Sequence, residues 1–306
     1  MKRLGIAMVL AALTAAAFAA WSIAANEQDG TAARAAAKAP KFPPLPAEVK
    51  SRKRWVIGVK CDFPPFGFID VRGDNAGYDV EVGRQFTQYA FGKANRVTFV
   101  CVTTPSRIPA LTSNRVDIII STLTWTRART EVIDFSIPYY SATGRLLVKN
   151  DSSIASTSDL KGKTVVTTRG ALYAPWTKLC LPDTKLLEVE SPAAALLTVK
   201  DGRADTFMFD DAFLLGVVTA DRDVKITKDK FLAIPWGIGI RKGDAVTKRW
   251  VDFALRRMQQ KDLFLGILKR NAPKRLIAGF DNNVPRPGRT MRYPEDRDAA
   301  TDCTVS

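Results

Sequence analysis

From Trp55 onward, short apolar runs alternate with longer stretches in which apolar residues recur every three or four positions. The runs WVIGV (55–59), RVTFVCV (96–102) and VDIII (116–120) are rich in β-branched residues and bounded by polar or turn residues, as strands covered on both faces are. Between them the period lengthens to that of a helix over 78–91 and again through RIPALTSN (107–114). The alternation restarts with LLVKN (146–150), KTVVTT (163–168), LLEVE (186–190), a helix over about 193–201, and DTFMF (205–209). A strand over 236–241 follows, then amphipathic helices over 247–260 and 263–269. This order predicts parallel sheets with helices on both faces, and about 226 residues of it suit two modest lobes with separate interiors. No short fixed period appears, which excludes a solenoid.

The first residues, MKRLGIAMVLAALTAAAFAAWSIAAN, place Lys2 and Arg3 before an apolar run that ends in small residues, the pattern of a secretory signal peptide over 1–25. An uncleaved anchor is the competing reading, but the alanine content and the soluble sequence that follows favour cleavage. No cysteine stands near the cleavage region, so no lipid anchor is expected. Residues 26–52, rich in Ala, Lys and Pro, are expected to form a flexible leader, and 282–306 a polar, proline-bearing tail. Periplasmic export follows from this address.

The 306 residues carry 46 basic and 31 acidic side chains, a formal charge of +15 that favours anionic partners. The basic residues are scattered and no nucleic-acid motif is present, so nucleic acid is not expected. The chain has no histidine, which removes a serine triad, a histidine base and the commonest metal ligand. No C-x-x-C spacing occurs either, and no metal or cofactor is expected. Four cysteines in an oxidising compartment should pair. Cys61 and Cys101 end neighbouring strands and are expected to join, leaving Cys180 for Cys303 out of three possible pairings.

Chemistry concentrates in Ser121 to Tyr140, STLTWTRARTEVIDFSIPYY. Ser121, Thr122 and Thr124 follow the VDIII strand, and ligand crevices of open α/β sheets lie at such strand ends. Arg129, on a short helix, can grip a carboxylate through two hydrogen bonds. A capping threonine beside a solvated arginine is the plain alternative.

The spacing T-x-x-x-x-R (124–129) leading into DFSIPYY (134–140), with GYDVEV (77–82), DLKGKTVVTTRG (159–170), GRADTFMFDD (202–211) and WGIGIRKGD (236–244), resembles the family 3 solute-binding proteins of bacterial amino-acid ABC transporters. The resemblance covers roughly 55–280, with Phe86 where a smaller aliphatic residue is usual. It implies an α/β, type II periplasmic binding fold of two lobes, each an open, mostly parallel sheet flanked by helices. Lobe 1 would comprise 53–144 and 236–281 and lobe 2 145–235, with two hinge crossings near 142–145 and 234–237.

Carried over by position, Arg129 with Thr124 and the backbone near Thr122 would hold an α-carboxylate, and Asp210, ahead of Asp211, the α-ammonium. Phe63 would stack on the ligand, although core packing competes. Cation- and amide-binding subgroups carry aspartate at the Lys60 position and an aromatic at Thr104. Here Lys60, Thr104 and Arg107 resemble the glutamate/aspartate subgroup and would meet a side-chain carboxylate. The second lobe offers Gly170 and then Ala171 where Thr or Ser is usual, with helix N–H groups near Ala171 as compensation. Arg169 is a further candidate cation there.

The expected function is non-enzymatic: a monomeric binding protein that delivers an L-amino acid, acidic for preference, to an inner-membrane ABC permease. A binder of a neutral polar amino acid, or a periplasmic cyclohexadienyl/arogenate dehydratase on the same fold, are the rival readings.

Overall fold

A computed structural model describes residues 41–294 and 297–304. The signal-peptide expectation and the leader up to residue 40 lie outside the described residues. Among those described, no helix is long and apolar enough to cross a membrane.

The first sheet begins with β1 (Trp55–Lys60). A small antiparallel meander follows: β2 (Asp62–Phe63), β3 (Gly67–Ile69) and β4 (Asn75–Ala76). The sheet continues with β5 (Val97–Val102), β6 (Ile118–Ile120) and β7 (Ile133–Phe135). The second sheet comprises β8 (Tyr140–Lys149), β9 (Thr164–Thr168), β10 (Lys185–Val189), β11 (Thr206–Asp210), β12 (Val224–Ile226) and β13 (Phe231–Trp236). The chain then returns to the first sheet as β14 (Gly239–Arg241), giving the orders β5-β1-β6-β14-β7 and β10-β9-β11-β8-β12, with β13 also on β8.

Each sheet is parallel over three strands, because a helix spans each connection: Tyr78–Phe91 and Arg107–Thr112 in lobe 1, Tyr173–Cys180 and Pro192–Lys200 in lobe 2. Each turns antiparallel where β14 or β8 enters, since those strands arrive by crossing between lobes and not over a covering helix. β8 and β13 pair with each other along the crossing, Tyr140 opposite Trp236 and Ala142 opposite Ile234.

The core of lobe 1 explains Phe86. Its ring meets Trp250 at 5.5 Å, and Trp250 packs on Trp55 at 5.3 Å. All three are buried, so the larger side chain fills a space between the helices Tyr78–Phe91 and Ala245–Gln260.

Three expectations change. The flexible leader ends before residue 47: Ala47–Arg52 is a helix with Val49 buried and Arg52 paired to Asp117. Six residues are too few to show a period. The single strand expected over 236–241 is two, because Gly237 N–H donates to Leu123 O and Ile238 N–H to Ser136 Oγ, which takes the chain off one sheet and onto the other. The tail is packed: Val284 and Ala299 are buried, and Tyr293 stacks on Trp125 at 5.4 Å.

Both expected disulfides are present, Cys61–Cys101 with Cα atoms 5.5 Å apart and Cys180–Cys303 with 5.3 Å. The first follows from register, since Val59 stands opposite Cys101 on parallel β1 and β5.

Candidate functional site

The carboxyl ends of β1, β5 and β6 face those of β9 and β11 across a narrow cavity of about 10 Å³. Lobe 1 lines it with Thr104, Arg107, Thr122 and Thr124, lobe 2 with Ala171, Leu172, Tyr173, Phe209 and Asp210. Lys60, Phe63 and Arg129 adjoin this cavity without lining it: Lys60 through Thr104, Phe63 through Phe209, Arg129 through Thr124.

Arg129 sits on the one-turn helix Arg127–Thr130, capped by Thr126 Oγ1, which accepts from Arg129 N–H. Its guanidinium gives Nη1–H to Thr124 O at 2.6 Å and Nη2–H to Gly170 O at 2.9 Å, so it bridges the two lobes. Desolvation brings its pKa down to about 9, with Arg107 adding to the effect and Asp210 opposing it. Gly170 has φ of +76°, and a Cβ there would lie 3.1 Å from Pro105 Cα, so any other residue would be strained in its backbone and would press on the facing lobe. Thr122 adopts φ of +49°, which costs a residue with a Cβ roughly 1–2 kcal/mol. Asp79 holds it there: Oδ2 accepts from Thr122 N–H at 3.2 Å and Oδ1 from Tyr139 O–H at 3.0 Å. Burial raises the Asp79 carboxyl to about 7, against the opposing Tyr139 hydrogen bond.

On the second lobe, Asp210 ends β11 with Oδ1 accepting from Tyr173 O–H at 2.5 Å. Desolvation raises it to about 7, opposed by that hydrogen bond. Asp211 is elsewhere occupied: it accepts from Thr143 N–H at 3.1 Å and Thr143 Oγ1–H at 2.7 Å, fastening the helix Asp211–Ala220 to β8. A helix does begin near Ala171, two residues further on at Tyr173. Ala171 N–H itself is spent on Thr168 O, so this amide offers no compensation for the missing hydroxyl. Arg169 is also outside the site, paired with Glu190 at the surface.

Behind Thr104, Lys60 is fully buried, with Nζ 2.8 Å from Thr104 Oγ1 and 2.9 Å from Asp62 Oδ1. Burial lowers its pKa to about 8, and Asp62 acts against that. Arg107 gives Nη1–H to Ser121 O at 2.7 Å and Thr122 O at 3.0 Å, and desolvation lowers it to about 10 while Asp210 raises it. Phe63 belongs to an aromatic cluster that closes the lobes on one another, 5.6 Å from Phe209 and 5.2 Å from Phe213.

Among the residues of this arrangement that carried no assigned role in the sequence are Asp62, Asp79 and Tyr173. Asp79 was visible as the acid of GYDVEV, but nothing in a linear motif shows that it meets Thr122, 43 residues away. Asp62 lies two residues from Lys60, a spacing that normally puts strand neighbours on the same face.

Two α/β lobes joined by a pair of crossing strands, with charges of both signs gathered where they meet, define a protein that closes on a small polar ligand. The chain belongs to the bacterial extracellular solute-binding proteins, family 3, whose model matches residues 55–271. It is 34% identical over 197 residues to a glutamine-binding protein of Geobacillus stearothermophilus, covering 64% of this chain and 75% of the relative. An L-glutamate/L-aspartate-binding protein of Pseudomonas aeruginosa is 29% identical over 222 residues, covering 68% and 73%. The crystal structure of a cysteine-binding protein from Campylobacter jejuni superposes with a TM-score of 0.71 at 28% identity, over 83% of this chain and 96% of that one. Arginine-binding proteins match as well.

Proposed function

We propose that this protein captures an L-amino acid with an acidic side chain between its lobes and presents it, as a monomer exported by its N-terminal signal, to an ABC permease. The observation that carries the reading is the placement of Arg129 and Asp210 on opposite lobes, near enough for each to act on the other's charge without pairing, which suits the two charges of a free amino acid. The two carbonyls that Arg129 holds are neutral acceptors, and an α-carboxylate is a stronger partner for the same donors. Thr124 and the Thr122 turn stand beside it, and Asp210 takes the ammonium. Ser121 Oγ and Thr168 Oγ1, buried near the ends of β6 and β9, have no hydrogen-bond partner among the described residues, which is the condition a polar ligand relieves.

Selectivity rests on charge at the Thr104 end. Lys60 is offset by Asp62, and Arg107 remains as an additional buried cation held only by carbonyls. That balance favours a side-chain carboxylate and repels a lysine or arginine side chain. Glutamine is the nearest competitor, since an amide can bond to Thr104 and Lys60 but brings no negative charge to Arg107. Binding energy then shifts the lobes toward the closed form that a permease recognises.

A thermal-shift series over the twenty amino acids, followed by calorimetry on those that stabilise, tests the reading. Glutamate or aspartate should bind most tightly. Arginine or lysine as the best ligand would overturn the side-chain assignment, and turnover of prephenate or arogenate would replace binding with catalysis.

A further inference from the structure

The segment after residue 281 lies beyond the family match and ties the two lobes together a third time. Its first fastenings are on lobe 1. Tyr293 stacks on Trp125 with the rings 18° from parallel and donates its O–H to Ser136 O at 2.6 Å. Gly237, between the crossing strand β13 and β14, makes room for it: a Cβ there would stand 1.9 Å from Tyr293 Oη. Asp298 Oδ2 then accepts from Arg127 N–H at 3.0 Å, on the same short helix as Arg129.

Within five residues the chain is fastened to lobe 2. Asp302 O accepts from Trp176 Nε1–H at 2.7 Å, and Cys303 is joined to Cys180, the last residue of the helix Tyr173–Cys180. Trp176 is itself locked, fully buried and stacked on Phe231 at 5.1 Å. The strap therefore spans the lobes on the side of the cleft where Arg129 reaches Gly170, and Asp298 lies near enough to act on the Arg129 charge.

Between its two fastenings the strap is coiled. Thr301 N–H and Asp302 N–H both donate to Asp298 O, at 2.9 and 2.8 Å, and Ala300 N–H to Asp298 Oδ1. Four residue steps cover about 6 Å when helical and about 14 Å when extended, so unwinding this turn releases about 8 Å of slack. We propose that the strap over 298–303, hydrogen-bonded to lobe 1 through Asp298 and joined covalently to lobe 2 by Cys180–Cys303, is a tether that lets the lobes part at the Arg129 edge only as far as this turn unwinds, and thereby slows ligand escape. This rests on the closing-lobe reading above. The two hinge crossings fix an axis; the tail leaves it at Gly237, and the strap adds a stop at the Arg129 edge.

The test uses the whole exported protein in three forms: with the disulfide, with Cys180→Ser and Cys303→Ser together, and with six Gly/Ser residues inserted between Ala300 and Thr301 so that the disulfide is kept but the leash is longer. Spin labels at the exposed positions Glu131 and Lys178 report lobe separation in the absence of added amino acid by pulsed electron resonance. The parent should show a distance distribution bounded on the long side, and both variants should add separations beyond it. L-glutamate should dissociate several-fold faster from both variants in stopped flow. Superimposed distributions for all three forms would overturn the tether, as would release only in the serine variant, which would mark the disulfide as a matter of stability alone. Widened distributions in a protein that binds no amino acid would leave the tether standing and sink the ligand reading.

Discussion

Replacing Asp79 with Asn should shift the stability balance toward the variant as pH rises, by an amount that grows in a defined window. The carboxyl is fully buried and its native pKa is raised to about 7 from 3.8, chiefly by desolvation. The folded state thus holds the proton more tightly than the unfolded chain. Between the two values folding takes up a proton, and this group's contribution to stability falls as pH rises, levelling off once pH passes the native value. Relative to a permanently neutral side chain, the ionisable one costs on the order of 2 kcal/mol at pH 5 and on the order of 4 kcal/mol at pH 8. The packing cost or gain of the amide itself does not depend on pH, so it cancels when the difference between the two proteins is compared across pH. Denaturant unfolding of both at pH 5 and pH 8 should show the gap moving in favour of Asp79→Asn by roughly 2–3 kcal/mol. A gap that stays constant, or moves the other way, would refute a buried carboxyl working against its own ionisation beneath Thr122.

Arg129→Ala should weaken amino-acid binding by about 3–5 kcal/mol in calorimetry, because it leaves a buried carboxylate without its charge-assisted partner; near-parental affinity would remove Arg129 from the site. Asp62→Asn takes away the anion that offsets Lys60 and should raise affinity for glutamate relative to glutamine, so an unchanged ratio in the same assay would show that Lys60 does not act on the ligand. Cys61→Ser with Cys101→Ser opens a 40-residue cross-link and should lower unfolding free energy by about 4 kcal/mol at 25 °C if chain entropy dominates, read from the denaturant midpoint and slope.

What the sequence made legible was periodic or adjacent. The strands β1, β5, β6, β9 and β11 are apolar runs with sharp borders, and the helices Tyr78–Phe91 and Ala245–Gln260 have one buried face, so both were visible as patterns. The helix Asp211–Ala220, DAFLLGVVTA, is apolar almost all round and offers no polar face to set a period. The break at Gly237 lay inside a continuous apolar run because both of its halves are buried, each in a different sheet. At the site, Arg129 and Thr124 were candidates through local spacing and Asp210 through the family resemblance, whereas the Asp79–Thr122 and Tyr173–Asp210 contacts depend on which strand ends and helices the fold sets side by side. The tail was read only as polar and proline-bearing, since it is held by single anchors, Tyr293, Asp298 and Cys303, with no repeat between them.

The crossing between lobes is a ribbon, because β8 and β13 are hydrogen-bonded to one another where they pass from one lobe to the next. Two separate strands would leave the lobes free to twist, shear and bend about independent swivels. A two-stranded ladder, with its strands held about 4.8 Å apart, resists sliding of one strand along the other and resists bending within its own plane. It yields readily only across its face. For lobes that open and close as proposed, such a ribbon leaves something close to one degree of freedom, so the charges brought by the second lobe would return to the same place on every closure.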